Sequence, residues 1–393
     1  MLKKLNLLFC TFFLFAKILS AQTCATGNGG VLQKNENTAT YRGGTFYIPV
    51  VVHVVFNQNN SEENISEENI LSQIEVLNQD FRQKNDQSNL PNEFKNLATD
   101  VNIEFFLATI DPKGKKTSGI RRVGTSSKSV WEEKAMSNGI QKRKVYFSNI
   151  EGDDAWDTKK YLNIWVCKMP SDKSGYATFP NVLKADEADG VVVDYRFFGT
   201  KGVAAANKPF HLGRTCTHEI GHFLNLQHLW GASVSNDDCS ADDGVDDTPR
   251  QTNPIAGCPQ NPVFQCGKSV MFQNFMNYTN DNCMSLFTLG QKARMLDALM
   301  TFRKDLISNP IPTHETQVAD IQVFPNPANH FLNIKMEQKG TYFLINTQGQ
   351  MVANGTFEMG INQLETGDFA NGIYQIGIVI DYIRINKIIN IMH

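Results

Sequence analysis

The sequence predicts a mixed α/β (α+β) domain, with a twisted sheet above a helix that carries the chemistry, followed by a small all-β sandwich. Three observations predict it. A nearly unbroken, Val-rich apolar run at residues 47–56 reads as a strand covered on both faces. A helix-period pattern follows it, and further short strands precede a second helix rich in histidine. Beyond residue 309 the long helical patterns give way to short apolar runs separated by turns.

In chain order, residues 1–21 read as a signal peptide: Lys3 and Lys4 form a basic start, residues 7–16 an apolar run, and Leu19-Ser20-Ala21 a cleavage region. Residues 22–42 form a short pro-segment containing Cys24, with Arg42 a candidate processing point. The main domain spans residues 43–308. After the first strand, Ile70, Ile74, Leu77 and Phe81 recur at helical spacing, with Ser66 placed to cap the helix. Residues 103–107, 161–166 and 191–195 read as further strands, and residues 211–224 as the histidine-bearing helix. A final helix at 290–305 carries Ala293, Leu296, Leu299 and Met300 on one face. Residues 309–317, with Pro310 and Pro312, read as a linker. Residues 318–393 form the sandwich, with turns at residues 346–349 and 370–372 and β-rich runs at 374–380 and 382–391.

Composition sets limits. The chain is 41% hydrophobic and 20% charged, as in ordinary soluble domains, and its 393 residues leave room for two or three of them. A net charge of −3 argues against a nucleic-acid partner. No internal stretch is long and apolar enough to predict a transmembrane segment in the mature protein, and a monomer is expected.

The chemistry concentrates in His218-Glu219-Ile-Gly-His222-Phe-Leu-Asn225-Leu-Gln-His228. Residues 218 and 222 are four apart, so on a helix both imidazoles point from one face and can grip one Zn²⁺. Glu219 lies beside the first of them, placed to act on a water without ligating the metal. A continuous helix would carry His228 about 9 Å past His222. All three histidines reach one ion only if the chain turns back, and the corner needs a residue tolerant of positive φ. Asn225 stands at that corner. Met276-Asn277-Tyr278 downstream supplies a candidate methionine turn. By contrast, His53 inside an apolar strand reads as a core imidazole, and His211 lies nearly two turns before His218.

Export makes the cysteines candidates for cross-links. Cys239, Cys258, Cys266 and Cys283 cluster in an Asp/Asn/Gly/Pro-rich stretch, and spacing alone leaves all three pairings open.

The motif resembles the metzincin clan of zinc endopeptidases, whose pattern is H-E-x-x-H-x-x-G-x-x-H, with Asn225 in place of the clan's Gly. Other segments narrow the resemblance to the pappalysin family, particularly its secreted bacterial members, over roughly residues 43–300. They are Ile48-Pro-Val-Val-Val-His-Val-Val55, Trp156-Asp-Thr-Lys-Lys-Tyr-Leu-Asn-Ile-Trp-Val166, Gly175-Tyr-Ala-Thr-Phe-Pro180, Asp189-Gly-Val-Val-Val193, Val245-Asp-Asp-Thr-Pro249 and Asn274-Phe-Met-Asn-Tyr278 through Cys283-Met284. Separately, Phe324-Pro-Asn-Pro-Ala-Asn-His-Phe-Leu-Asn-Ile334 and Lys387-Ile-Ile-Asn-Ile391 resemble the C-terminal sorting domain of bacterial type IX secretion substrates.

The resemblance implies a metzincin-like catalytic domain and a secreted zinc endopeptidase acting on protein or peptide substrates. His218, His222 and His228 would hold one Zn²⁺, Glu219 would serve as general base and then acid, and Tyr278 would hydrogen-bond the tetrahedral intermediate. Met276 would form an apolar floor. It implies the disulfides Cys239–Cys266 and Cys258–Cys283, leaving Cys167 and Cys216 unpaired and buried. It also implies structural Ca²⁺ at the acidic run Asp242-Asp243-Gly-Val-Asp246-Asp247-Thr248, with Asp243 and Thr248 as participants. Cys24 becomes a candidate latency switch, its thiolate taking the metal's fourth position. Residues 175–180 match the edge segment that receives substrate as an added strand. Asp281, before Asn282 and Cys283, raises the question of a preference for basic side chains. The sorting domain implies passage through the type IX machinery to a secreted or cell-surface location. The competing reading is a catalytically silent, zinc-containing binding or adhesion protein, although a purely structural zinc site has no need of Glu219.

Overall fold

The computed structural model of the protein describes Cys24, Thr26 and residues 45–393, apart from residues 138, 181–185, 232–238, 241, 308–320, 337–338, 348–350 and 381–382. The expected signal segment, Arg42 and the linker at 309–317 lie outside the described residues.

Strand β1 (Phe46–Asn57) is buried without interruption from Ile48 to Val55. Helix α1 (Glu67–Phe81) follows, with the Ser66 hydroxyl accepting the Asn69 N–H at 3.1 Å. Its apolar face, Ile70, Ile74, Leu77 and Phe81, enters the main core beneath the sheet. β2 (Ile103–Leu107) and β3 (Ile120–Thr125) pair in parallel with successive halves of β1. On β1's other edge comes β4 (Leu162–Cys167), then β6 (Val191–Asp194), both parallel. The short β5 (Gly175–Ala177) runs antiparallel to β6 and ends the order β2-β1-β4-β6-β5. β3 is not expected from the sequence, whereas β5 falls in the edge segment at 175–180 that the family resemblance implies. β3 is a half-exposed strand with two arginines, and β5 is three residues long, so neither carries a hydrophobic period.

Alternation along the strands divides the core. Val54, Ile164, Val166 and Val193 point to the helices, whereas Val55, Trp165, Cys167 and Val192 join Trp131 and Tyr146 on the other face. His53 sits in the sheet as a core imidazole, 2.7 Å from Asp153 Oδ2 and 3.0 Å from Asn163 Oδ1, and is stacked on Trp165.

Helix α2 (Arg214–Phe223) packs against β5, β6 and α1. It starts later than the expected residue 211. Gly213 is left-handed at φ 75, and the Leu212 N–H donates to the Asp281 carboxylate at 2.7 Å, so 211–213 form a turn. Helix α3 (Leu289–Phe302) ends earlier than the expected 305. Its buried face is Met295, Leu296, Ala298 and Leu299, whereas Ala293 and Met300 are exposed, correcting the expected stripe. A Thr288–Gln291 capping box sets this rotation: Gln291 is buried and exchanges two hydrogen bonds with Asn274.

The C-terminal strands are β7 (Gln322–Phe324), β8 (Phe331–Met336), β9 (Gly340–Asn346), β10 (Met351–Phe357), β11 (Gly360–Glu365), β12 (Gly372–Ile380) and β13 (Ile383–Ile391). They form two antiparallel sheets, β7-β8-β11 and β10-β9-β12-β13. One core lies between them, with Leu332, Ile334, Leu344, Ile376, Ile378, Ile389 and Ile391 buried, as in a sandwich. Among the described residues, no helix is long and apolar enough to cross a membrane.

Candidate active site

The site is built where α2 ends. The Leu226 N–H donates to Gly221 O at 2.9 Å and the Asn225 N–H to His222 O at 2.9 Å, the paired bonds of a Schellman stop. Asn225 is left-handed at φ 75, which reverses the chain and brings His228 back over the helix. The Nε2 atoms of His218, His222 and His228 then lie 3.1–3.2 Å apart. A tetrahedral ion about 2.0–2.1 Å from each nitrogen would space them by about 3.3 Å. His218 Nδ1 donates to Phe275 O and His222 Nδ1 to Leu226 O, each at 2.7 Å. On these two rings Nε2 is therefore the bare lone pair. Burial lowers the His218 pKa to about 4, and it holds His222 and His228, each beside other imidazoles, well below the usual range. Neutral imidazoles aiming nitrogen at one point repel unless a cation sits between them, so the donor set fits Zn²⁺.

Glu219 is fully buried, and burial pushes its pKa up to about 8 against the hydrogen bonds it accepts from Cys24 and Thr26. Its Oε1 has no partner among the described residues. Its neighbour across the site is Gly175: a Cβ there would lie 2.6 Å from Glu219 Oε1. The Cys24 thiol donates to Glu219 Oε2 at 3.3 Å, and its Sγ groups with the three histidine nitrogens, all within 4.8 Å of one another. Thr26 adds a second contact. Its hydroxyl donates to Glu219 Oε2 at 2.9 Å and accepts the Ala177 N–H of the edge strand β5 at 2.8 Å.

Below the histidines, Met276 is fully buried against Gly221, where any Cβ would collide with its sulfur. The turn that presents it is held by Asn274 Oδ1, which accepts the Met276 N–H at 2.9 Å. Asn277 Oδ1 accepts the N–H groups of Ile255 and Tyr278, each at 2.9 Å. Tyr278 Oη comes 3.2 Å from His228 Nε2. Tyr278 and Glu219 line one cavity with Cys24, Ser174, Phe210 and Asp281. Asp281 is buried, and burial raises its pKa to about 6 against its bond from Leu212. Asn282 points to solvent instead.

Cys239 is bonded to Cys266 and Cys258 to Cys283, with Cα–Cα separations of 5.7 and 5.9 Å. Cys167 and Cys216 are unpaired and buried. The acidic run is divided in its uses. Asp247 caps α3, accepting from Thr288 Oγ1 at 2.7 Å and Gly290 N at 2.8 Å. Asp242 pairs with Arg250 at 3.2 Å. Asp243 is buried; its Oδ1 accepts from Val245 N at 3.0 Å and Thr248 Oγ1 at 2.8 Å, and its Oδ2 has no partner among the described residues. Burial raises its pKa to about 7.

Sequence reasoning missed Thr26, Trp230, Asn274, Gln291 and Arg303. Arg303 stacks on Phe223, donates to Phe223 O at 3.0 Å and Thr178 O at 3.2 Å, and pairs with Asp189 at 2.8 Å. The polar residues interrupting residues 273–280 offered a signal for the asparagine scaffold, since buried amides need specific partners. Arg303 and Trp230 offered none, because their partners are far away in the chain or set by the turn.

Residues 146–300 match the family model described as Pregnancy-associated plasma protein-A, the M43 peptidases, and residues 322–391 match that of a secretion system C-terminal sorting domain. Extracellular metalloprotease 1 of Coccidioides posadasii is 32% identical over 143 residues, covering 36% of this chain and 50% of that protein. An extracellular metalloprotease of Arthroderma otae is 40% identical over 151 residues, 37% of this chain and 53% of that one. The chain thus spans about half the length of these curated relatives. Mature mirolysin of Tannerella forsythia, solved in complex with a cleaved peptide, superposes with a TM-score of 0.61 at 45% identity, covering 68% of this chain and all of that one. With its zinc-fitting histidines, its methionine turn and this likeness over a whole solved chain, the protein belongs to the pappalysin (M43) family of metalloproteases.

Proposed function

We propose that this chain is a secreted zinc-dependent endopeptidase that hydrolyses peptide bonds of proteins, its catalytic domain spanning residues 43–308. The observation that carries this reading is the convergence of three neutral imidazoles beside a buried carboxylate, one oxygen of which has no partner among the described residues. Zn²⁺, when bound by His218, His222 and His228, supplies Lewis-acid polarisation of water and of the scissile carbonyl. Glu219, buried beside the three imidazoles, takes the proton of the attacking water and returns it to the leaving amine. Tyr278, whose hydroxyl burial keeps protonated, donates to the developing oxyanion. Substrate joins the free edge of β5 as an added strand, where Ala177 offers its N–H. Asp281 in the wall of the cavity suits a basic side chain on the primed side.

In the unprocessed chain the Cys24 sulfur, grouped with the three histidine nitrogens, would serve as a fourth ligand to the metal, while Thr26 bonds both Glu219 and Ala177. Residues 22–42 therefore act as a latency segment. The sorting tail at 318–393, reached through the linker at 309–317, sends the protein through the type IX machinery, and the protein is secreted or cell-surface. A structural Ca²⁺ is assigned to Asp243 and Thr248, where one buried carboxylate oxygen has no partner among the described residues.

Peptide-library cleavage by the processed chain tests the reading. Glu219→Ala should retain zinc and lose at least about 10²–10⁴ in kcat. Zinc bound with cleavage indifferent to Glu219 would instead favour the silent binding protein. Asp281→Asn should weaken any enrichment of Arg or Lys on the primed side, and an unaltered profile would remove that assignment. Cys24→Ser should make the unprocessed chain active without cleavage, and a Ser variant as inert as the parent would end the switch reading.

A further inference from the structure

The three histidines are not held alike. His218 and His222 each have a backbone carbonyl 2.7 Å from Nδ1, which fixes the tautomer and the plane of the ring. The polar neighbours of His228 among the described residues are all at Nε2: His218, His222 and Tyr278. Its ring lies face to face on Trp230, with centroids 4.5 Å apart and planes 9° from parallel. The same indole meets Tyr278 edge-on at 4.8 Å and 75°. Trp230 is buried, and its own place is fixed by a tight turn in which the Gly231 N–H donates to His228 O at 2.8 Å. Gly231 is left-handed at φ 67 and abuts the Asp242 backbone, so the turn cannot slide.

Resting on the zinc-centre reading above, we propose that Trp230 is a positioning residue for the third histidine and for Tyr278. Its indole face does for His228 what backbone carbonyls do for the other two: it holds the ring in the one plane that aims Nε2 at the metal. Because the indole also bounds Tyr278, one side chain sets the spacing between the third ligand and the phenol. Without the stack, the His228 ring can rotate about its side-chain bonds, and the ligand loses its pre-organisation. Changes to such supporting groups typically cost about 10–100-fold in metal affinity.

The test uses the full chain, with zinc affinity read by chelator competition and ligand geometry by the visible spectrum of the cobalt(II) form. Trp230→Leu should weaken zinc about 10–100-fold and alter the cobalt spectrum, whereas Trp230→Phe, which keeps a ring face, should stay within about threefold. Trp230→Met fills the space with a flexible side chain and carries the test if the Leu variant does not fold. A folded Leu or Met variant that binds zinc as tightly as the unsubstituted chain overturns the proposal. So does a Phe variant that loses as much as Leu. Failure of the zinc reading itself would show differently, as an unsubstituted chain that binds no zinc at all.

Discussion

At Asp243 burial and charge conflict directly. Its carboxyl is held in a dry place with one oxygen bonded and the other alone among the described residues, and burial raises its pKa to about 7. The folded state therefore binds a proton that the unfolded chain releases near pH 4, so without a cation its contribution to stability falls as pH rises from about 4 through 7. A bound Ca²⁺ would remove the conflict. Added calcium should then raise the melting temperature more at pH 8 than at pH 5, and an equal rise at both would count against the assignment. Asp153 shows the opposite balance. Burial alone would raise it, but Arg121 and His53 outweigh that and hold its pKa near 2. Asn225 was legible because the motif demands a reversal and only a residue tolerant of positive φ can make it. Asp243's unmatched oxygen was not, since a run of four aspartates reads the same whether solvated or buried.

Among the elements, the short strand β5, legible through the family resemblance of residues 175–180 and not through any hydrophobic period, is the most consequential. It has three residues, yet it forms the rim above α2, and Gly175 in it leaves room for the Glu219 carboxylate. Its backbone φ is not left-handed, so the glycine is required by space. Gly175→Ala should displace Glu219 and cut kcat by about 10²-fold, with zinc affinity unchanged. Normal turnover in that variant would show that the rim has room to give. Helix α3 shows the related limit of periodicity. Its existence was plain, but its rotation followed from Gln291 bonding Asn274 across the methionine turn, and no pattern within the helix encodes that partner. Helix α1, by contrast, needed only its apolar spacing and the Ser66 cap.

At the scale of the whole molecule, the two parts have separate cores: one gathers residues from Phe46 to Leu306 and the other residues from Ile321 to Ile391. A chain ending at residue 307 should therefore keep its zinc affinity and its peptidase activity while failing to leave the cell. Loss of folding on truncation, read by thermal melting, would contradict this independence. What the sequence determined by itself is the donor set, the reversal at Asn225, the buried central strand and the division into two units. These depend on residue type and short-range spacing, which physical chemistry reads locally. Tertiary structure alone decided which groups face the site from elsewhere. Gly175 and Thr26 reach Glu219, and Arg303 joins the end of α2 to the β5 rim. The reason is that each such contact joins residues tens to hundreds of positions apart, and only the packed chain brings them within hydrogen-bond or van der Waals range.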